Sequence, residues 1–231
     1  MKVWVFVEGE SDRLALNALW DNWRAALQNK GWGLQVLPLD TKDKFLRKIG
    51  PRGAEKLKAD AHDLVVGLPD YYPNGPYTHT DLKHETVEQL QDLQVRAVEA
   101  RLAASLQGES LRRALNRFWP SVLKHDMEML LLAAEEQLRQ VLRTSERLGA
   151  WRIPVEEQDQ HKPPKRIVEE LFRTKTPGKR AYRETRDAPA VLQRVRQITD
   201  LLFLEDGREN CPVFKAMLDW VGEKTGIPAY V

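Results

Sequence analysis

The sequence predicts an α/β protein with a mostly parallel sheet. Three short apolar runs, residues 2–7, 33–39 and 62–68, are separated by stretches with helical periodicity, giving the order β-α-β-α-β. That order requires crossover connections, which are right-handed and produce a parallel sheet. The first and third runs each end in an acidic turn, at Glu8-Gly9-Glu10-Ser11-Asp12 and at Pro69-Asp70.

Each element has its own signal. Residues 2–7 carry Val, Trp and Phe on both faces, as a central buried strand does. Ser11 can cap the helix that follows, with Asp12 favourable to its dipole. Leu16, Leu19, Trp23 and Leu27 mark one helical face, and Gly31 ends it. A charged helix over residues 42–60 is expected to break at Gly50-Pro51. Residues 70–80 read as a turn-rich loop, and residues 82–106 as a long helix with Val87, Leu90, Leu93, Ala97 and Val98 inward. A further strand over residues 119–124 contains Pro120. Helical signals then cover residues 125–147, 163–173, 189–204 and 211–224.

With 231 residues and seven Trp, the chain can bury a sizeable core without covalent staples. We read it as one domain over residues 1–231, with an α/β core in 1–150 and a basic helical part in 151–231. The one cysteine, Cys211, excludes an internal disulfide and reads as a small buried residue. Residues 3–7 are too short for a signal peptide core, and no run approaches the roughly 18 apolar residues of a membrane span. The expected location is the cytoplasm. Net charge is only +2, but residues 162–196 hold eleven Lys/Arg against four Asp/Glu, an excess of +7. Such a stretch is either a polyanion-binding face or a set of solvated helices.

Ligands of open α/β sheets collect at the carboxyl ends of the strands. Glu8 and Asp70 both fall there. Two ionised carboxylates at short range repel, and a proton or a cation relieves them. Mg²⁺ or Mn²⁺ suits oxygen ligands and phosphate together. The bland alternative is that Glu8 and Asp12 complement a helix dipole. His125-Asp126-Met127-Glu128 opens a helix, so His125 and Glu128 share a face. They form either a ligand and proton-shuttling pair or a helix cap and a surface acid. Lys165 and Arg166 open a helix after Pro163-Pro164. Lys179, Arg180 and Arg183 flank Tyr182, a pattern that contacts phosphates while the ring either stacks a base or packs under its own helix.

These motifs occur in a particular order: Val7 to Asp12, Asp70-Tyr71-Tyr72, His125 to Glu128, Pro164-Lys165-Arg166 and Cys211-Pro212-x-Phe214. In that order the chain resembles a group of bacterial Toprim-like proteins known as a domain of unknown function. The resemblance implies a Toprim-like parallel sheet with helices on both faces and a helical C-terminal elaboration. Topoisomerases, bacterial primases and nucleases of the overcoming-lysogenization-defect type share that fold. In them a Glu after the first strand and an Asp-x-Asp after a later one hold Mg²⁺. By resemblance Glu8 and Asp70 take those roles, whereas Tyr72 stands at the second Asp position and is a poor Mg²⁺ ligand. Either Glu128 or Asp126 substitutes, or the site is degenerate. Members of the group often lie beside an ABC-type ATPase gene, which implies an ATPase partner in phage defence or DNA repair.

The resulting expectation is a Mg²⁺- or Mn²⁺-dependent nuclease. Glu8, Asp70 and Glu128 hold the metal, His125 assists proton transfer, and Lys165, Arg166, Lys179, Arg180 and Arg183 bind nucleic acid. The alternative is a non-catalytic nucleic-acid-binding or ATPase-associated module. A small-molecule phosphotransferase finds no P-loop and no Gly-x-Gly-x-x-Gly in the sequence.

Overall fold

The computed structural model describes residues 1–149, 151–158 and 161–230. Four parallel strands, β1 (Lys2–Val7), β2 (Gly33–Pro38), β3 (Leu64–Leu68) and β4 (Phe118–Pro120), form a sheet in the order β2-β1-β3-β4 among the described residues. Strand β1 lies between β2 and β3, so the chain steps to one side for β2 and crosses to the other for β3. The crevice between β1 and β3 is therefore a topological switch point. The buried Asp63 accepts hydrogen bonds from the Lys2 N–H at 2.7 Å and the Trp4 indole at 2.8 Å, fixing β3 against β1.

Alternate strand residues face two apolar layers. On one face Phe6 and Val65 meet α3 (Lys42–Ala59), α4 (Val87–Ala103) and α5 (Gly108–Leu115). On the other, Val3, Val5, Val7, Leu64 and Val66 meet α1 (Glu10–Leu19) and α2 (Asp21–Asn29). The same layer holds α6 (Glu128–Ala133), α7 (Glu135–Leu142), α8 (Pro164–Lys175), α9 (Glu184–Leu192), α10 (Thr199–Leu202) and α11 (Pro212–Thr225). Trp20, between α1 and α2, is fully buried and stacks on Phe214 of α11 at 6.1 Å. The basic C-terminal helices thus share one core with the first strand. Cys211 is buried there, as expected.

Several elements differ from the sequence reading, each for a local reason. Gly9, not Ser11, caps α1, and the Asp12 carboxylate accepts the Gly9 N–H at 2.8 Å. Helix α3 runs unbroken through Pro51. A proline there forfeits one backbone hydrogen bond. Gly50 is instead a point of close approach, because a Cβ would lie 2.5 Å from the Ala97 carbonyl oxygen of α4. Strand β4 stops at Pro120, which lacks an N–H and is tolerated because β4 is an edge strand. Parallel pairing resumes as an isolated bridge between Asp70 and Leu123. Helix α9 starts at Glu184, ahead of Pro189, because the Asp187 carboxylate accepts the Arg183 N–H at 2.8 Å. The predicted helix over residues 125–147 is two helices, α6 and α7, meeting at Ala134.

Candidate functional site

Glu8 leaves the end of β1 and Asp70 follows β3, whose register pairs Val7 with Leu68. The Asp70 N–H donates to Glu8 Oε1 at 3.1 Å, so the two acids converge at the switch point. Hydrogen bonds from Tyr71 N–H to the Leu123 carbonyl and from Leu123 N–H to the Pro69 carbonyl carry this line on toward residues 125–128. As a result Glu8, Asp12, Asp70, Asp126 and Glu128 line one cavity of about 800 Å³, with Lys42, Lys165 and Arg166 on its walls.

The electrostatics follow from burial and crowding. Burial pushes the Glu8 carboxyl up to about 7, opposed by the Lys42 ammonium and reinforced by Asp12. Glu128 is pushed up to about 8, first by burial and then by Asp126. Asp126 rises to about 6 by burial, although the Lys165 N–H donates to its Oδ2 at 3.2 Å. Asp70 is raised well above the usual range by burial and by the charges of Asp12, Glu8, Asp126 and Glu128. One buried oxygen on Asp70 and one on Asp126 accept no hydrogen bond among the described residues.

Lys42 is 5 % exposed and donates to the carbonyls of Tyr71 at 2.5 Å and Pro73 at 2.9 Å. Burial lowers it to about 8, against the pull of Glu8 and Asp70. Lys42 has no role in the sequence-based expectation. One signal is present: a lysine in the first turn of a helix opposes the dipole and calls for a local anion. Asp12, in the sequence no more than added charge, is a full member of the cavity wall. Glu10 is not, because it is exposed and paired with Arg13.

The remaining candidates separate. His125 is 3 % exposed and does not line the cavity. It lies behind Tyr72, ring to ring at 5.4 Å, and burial lowers its pKa. Lys165 reaches Glu184 at 2.5 Å, and Arg166 faces both this cavity and a second one of about 620 Å³. Arg173 and Lys179 line that second cavity. Arg180 is committed elsewhere, held by Asp187 at 2.6 and 2.9 Å and lying over the Phe172 ring. Arg183 is exposed beside it. Tyr182 is no surface stacking ring; it packs on Phe172 at 5.1 Å and sets its hydroxyl beside Glu128.

The chemistry of this donor set fits a hard divalent cation: all oxygen, crowded, and with two orphaned buried oxygens. Among the described residues no group of three or more His, Cys, Asp or Glu side chains is arranged so that it could hold a metal ion as it stands.

Fold and site together define a parallel α/β protein with an acidic cavity at the switch point of its sheet. The chain belongs to the family described as domain of unknown function DUF4276, whose model matches residues 7–222. No curated protein matches it. Among solved structures it is similar to the C-terminal region of the Xanthomonas campestris pv. campestris OLD protein, seen in three determinations. The one phased with platinum has 13 % identity and a TM-score of 0.45, covering 98 % of this chain and 91 % of that one. The mercury-phased one has 14 % and 0.48, covering 96 % and 93 %. The iodine-phased one has 14 % and 0.46, covering 97 % and 95 %. Among the described residues no helix is long and apolar enough to cross a membrane.

Proposed function

We propose that this protein is a Mg²⁺- or Mn²⁺-dependent nuclease that cleaves phosphodiesters in the acidic cavity. The observation behind this reading is the set of five carboxylates, Glu8, Asp12, Asp70, Asp126 and Glu128, two with orphaned oxygens, that share one cavity with Lys165 and Arg166. Glu8, Asp70 and Glu128, with Asp12 and Asp126 beside them, would hold the cation. A bound divalent ion polarises a phosphoryl oxygen and lowers the pKa of a coordinated water. Lys165 and Arg166 would meet the phosphate oxygens. Burial raises Glu128 to about 8 in the metal-free fold, so taking up the cation would release its proton. Tyr182, raised by burial, keeps its proton and faces Glu128 with a donor. His125 stacks on Tyr72 and is not itself part of the cavity wall, so in this reading it has no direct contact with the phosphate.

A second reading is a binding module without catalysis. Tyr72 favours it, since a phenol stands at the second acidic position and supplies no carboxylate. The test is cleavage of plasmid DNA and of single-stranded DNA and RNA by purified protein, with Mg²⁺, Mn²⁺ or EDTA. It is run with and without an added ABC-type ATPase, the partner that the sequence resemblance implies. Cleavage that needs the metal and is lost in Glu8→Gln is the expected result. Metal-dependent binding without cleavage in either arm leaves the module reading.

Nucleic-acid binding should weaken steeply with salt, log K falling linearly in log salt concentration. Replacing Arg166, Arg173 and Lys179 together should flatten that slope by up to about 3, roughly one counterion per lost phosphate contact. Arg180→Ala should instead destabilise the fold, because it leaves Asp187, 2 % exposed, with less compensation. A slope unchanged by the triple replacement would place the polyanion elsewhere.

A further inference from the structure

We propose that Tyr72 is the stacking surface for one unpaired base of a single-stranded nucleic acid whose phosphate enters the acidic cavity. This inference rests on the nuclease reading for the identity of the ligand, and on separate geometry for the stacking.

Tyr72 lies on the cavity wall two residues beyond Asp70, so a ring stacked on it belongs to a nucleotide next to the phosphate at the carboxylates. It is partly exposed, and its ring is held from behind and from the side. His125 stacks on it at 5.4 Å with 28° between the planes, and Tyr71 abuts its edge at 4.5 Å and 64°. Tyr71 is itself fixed, its hydroxyl donating to the Glu85 carbonyl at 2.5 Å. The backbone is clamped too. Lys42 Nζ binds the carbonyls of residues 71 and 73, one on each side of Tyr72. A ring fixed in this way loses little freedom on binding, which favours its use as a platform.

The surroundings suit a nucleotide. Pro73, Pro76 and Met127 add apolar wall beside Tyr72, while the carboxylates, Lys165 and Arg166 supply the charged part. A volume of about 800 Å³ is in the range of small-molecule sites, so it admits a nucleotide. A base within a duplex is already stacked and cannot offer its face without being extruded. The favoured ligand is therefore single-stranded. The residue that departs from the acidic pattern thus supplies recognition in place of a metal ligand.

The test measures binding of a fluorescently labelled single-stranded DNA, its duplex, and a series carrying one abasic residue at successive positions. The full chain is used, with Ca²⁺ in place of Mg²⁺. Tyr72→Ala should weaken single-strand binding by about 5- to 100-fold, the range for loss of one base–aromatic stack. Tyr72→Phe and Tyr72→Trp should bind as the wild type does. For the wild type, one abasic position should carry a similar penalty, and that penalty should vanish in Tyr72→Ala. Unchanged thermal midpoints establish that the variants fold. Equal binding by Tyr72→Ala and wild type, or failure of Tyr72→Phe equal to that of Tyr72→Ala, overturns the stacking role. So does an abasic series without a penalty. These outcomes are independent of cleavage. Metal-dependent cleavage with no effect of Tyr72→Ala sinks the stacking and keeps the nuclease. Loss of binding in Tyr72→Ala without any cleavage sinks the nuclease and keeps the stacking.

Discussion

Glu8→Gln and Asp70→Asn are expected to abolish metal-dependent cleavage and, in metal-free buffer near pH 8, to melt at higher temperature than the wild type. The first effect follows from the loss of a cation ligand. A bound metal contributes several kcal/mol of transition-state stabilisation, and each 1.36 kcal/mol is tenfold in rate, so a loss of roughly a hundred- to thousand-fold or more is expected. The second follows from burial. The Glu8 carboxyl is pushed up to about 7, so at pH 8 its ionised form is held against the preference of the fold. Gln keeps the oxygen that accepts the Asp70 N–H at 3.1 Å and removes the charge. A tenfold change in acidity corresponds to about 1.4 kcal/mol. A gain on the order of 2 kcal/mol, or about 4–8 °C for a chain of this size, is the scale to look for. Asp70→Asn should move in the same direction, because burial and four neighbouring carboxylates raise it as well. Calorimetry with EDTA, alongside the cleavage assay, reads both effects. A variant that is inactive and less stable would mean that the carboxylate holds the fold together and that its loss of activity is indirect. Equal cleavage by wild type and variants would mean that a contaminating nuclease is at work.

The difference between what can and cannot be read in the sequence has a physical basis. Strands β1 and β3 are legible because they are buried on both faces and so appear as continuous apolar runs. The meeting of Glu8 and Asp70 is legible for the same reason, since acids just past two parallel strands share one end of the sheet. Glu128 can be placed with them because it follows the line of β4, and the bridge at Leu123 keeps that line beside Asp70. Lys42 and Tyr182 are not legible in their actual roles. Lys42 acquires its partners only through the fold of the 71–73 loop, 29 and 31 residues away. Tyr182 sits in a basic run that looks like surface, yet α8 draws it inward onto Phe172. The same holds for Arg180, whose charge is answered by Asp187 seven residues on. In sequence the basic C-terminal stretch looks like an elaboration of the core. Helix α9, which shares the layer of α1, also brings Glu184 and Ala188 to the cavity wall, which its sequence does not announce.

The metal-free protein is expected to be most stable near pH 5, to lose stability toward pH 8, and to regain it there when Mn²⁺ or Mg²⁺ is added. The sign is set by proton binding. Between the ordinary carboxylate value of 4.5 and the folded values of about 7 for Glu8 and about 8 for Glu128, the folded state binds more protons than the unfolded one. Stability then falls as pH rises through that window. Asp126, at about 6, adds to the early part of the fall. Above about 8 Lys42, lowered to about 8 in the fold, binds fewer protons folded than unfolded, and the trend turns. Added metal reverses the fall. It binds only ionised carboxylates, so its stabilisation grows across the window in which the metal-free protein weakens. At a metal concentration about a hundred times Kd the gain is about 2.7 kcal/mol, or roughly 5–11 °C in a chain of this length. Thermal melts at pH 5, 6.5 and 8, with EDTA and with Mn²⁺, measure both trends. A metal-free midpoint that stays flat or climbs from pH 5 to 8 would mean that the cavity carboxylates are not crowded as described. A Mn²⁺ shift of the same size at pH 5 as at pH 8 would mean that the ion binds somewhere other than at Glu8, Asp70 and Glu128.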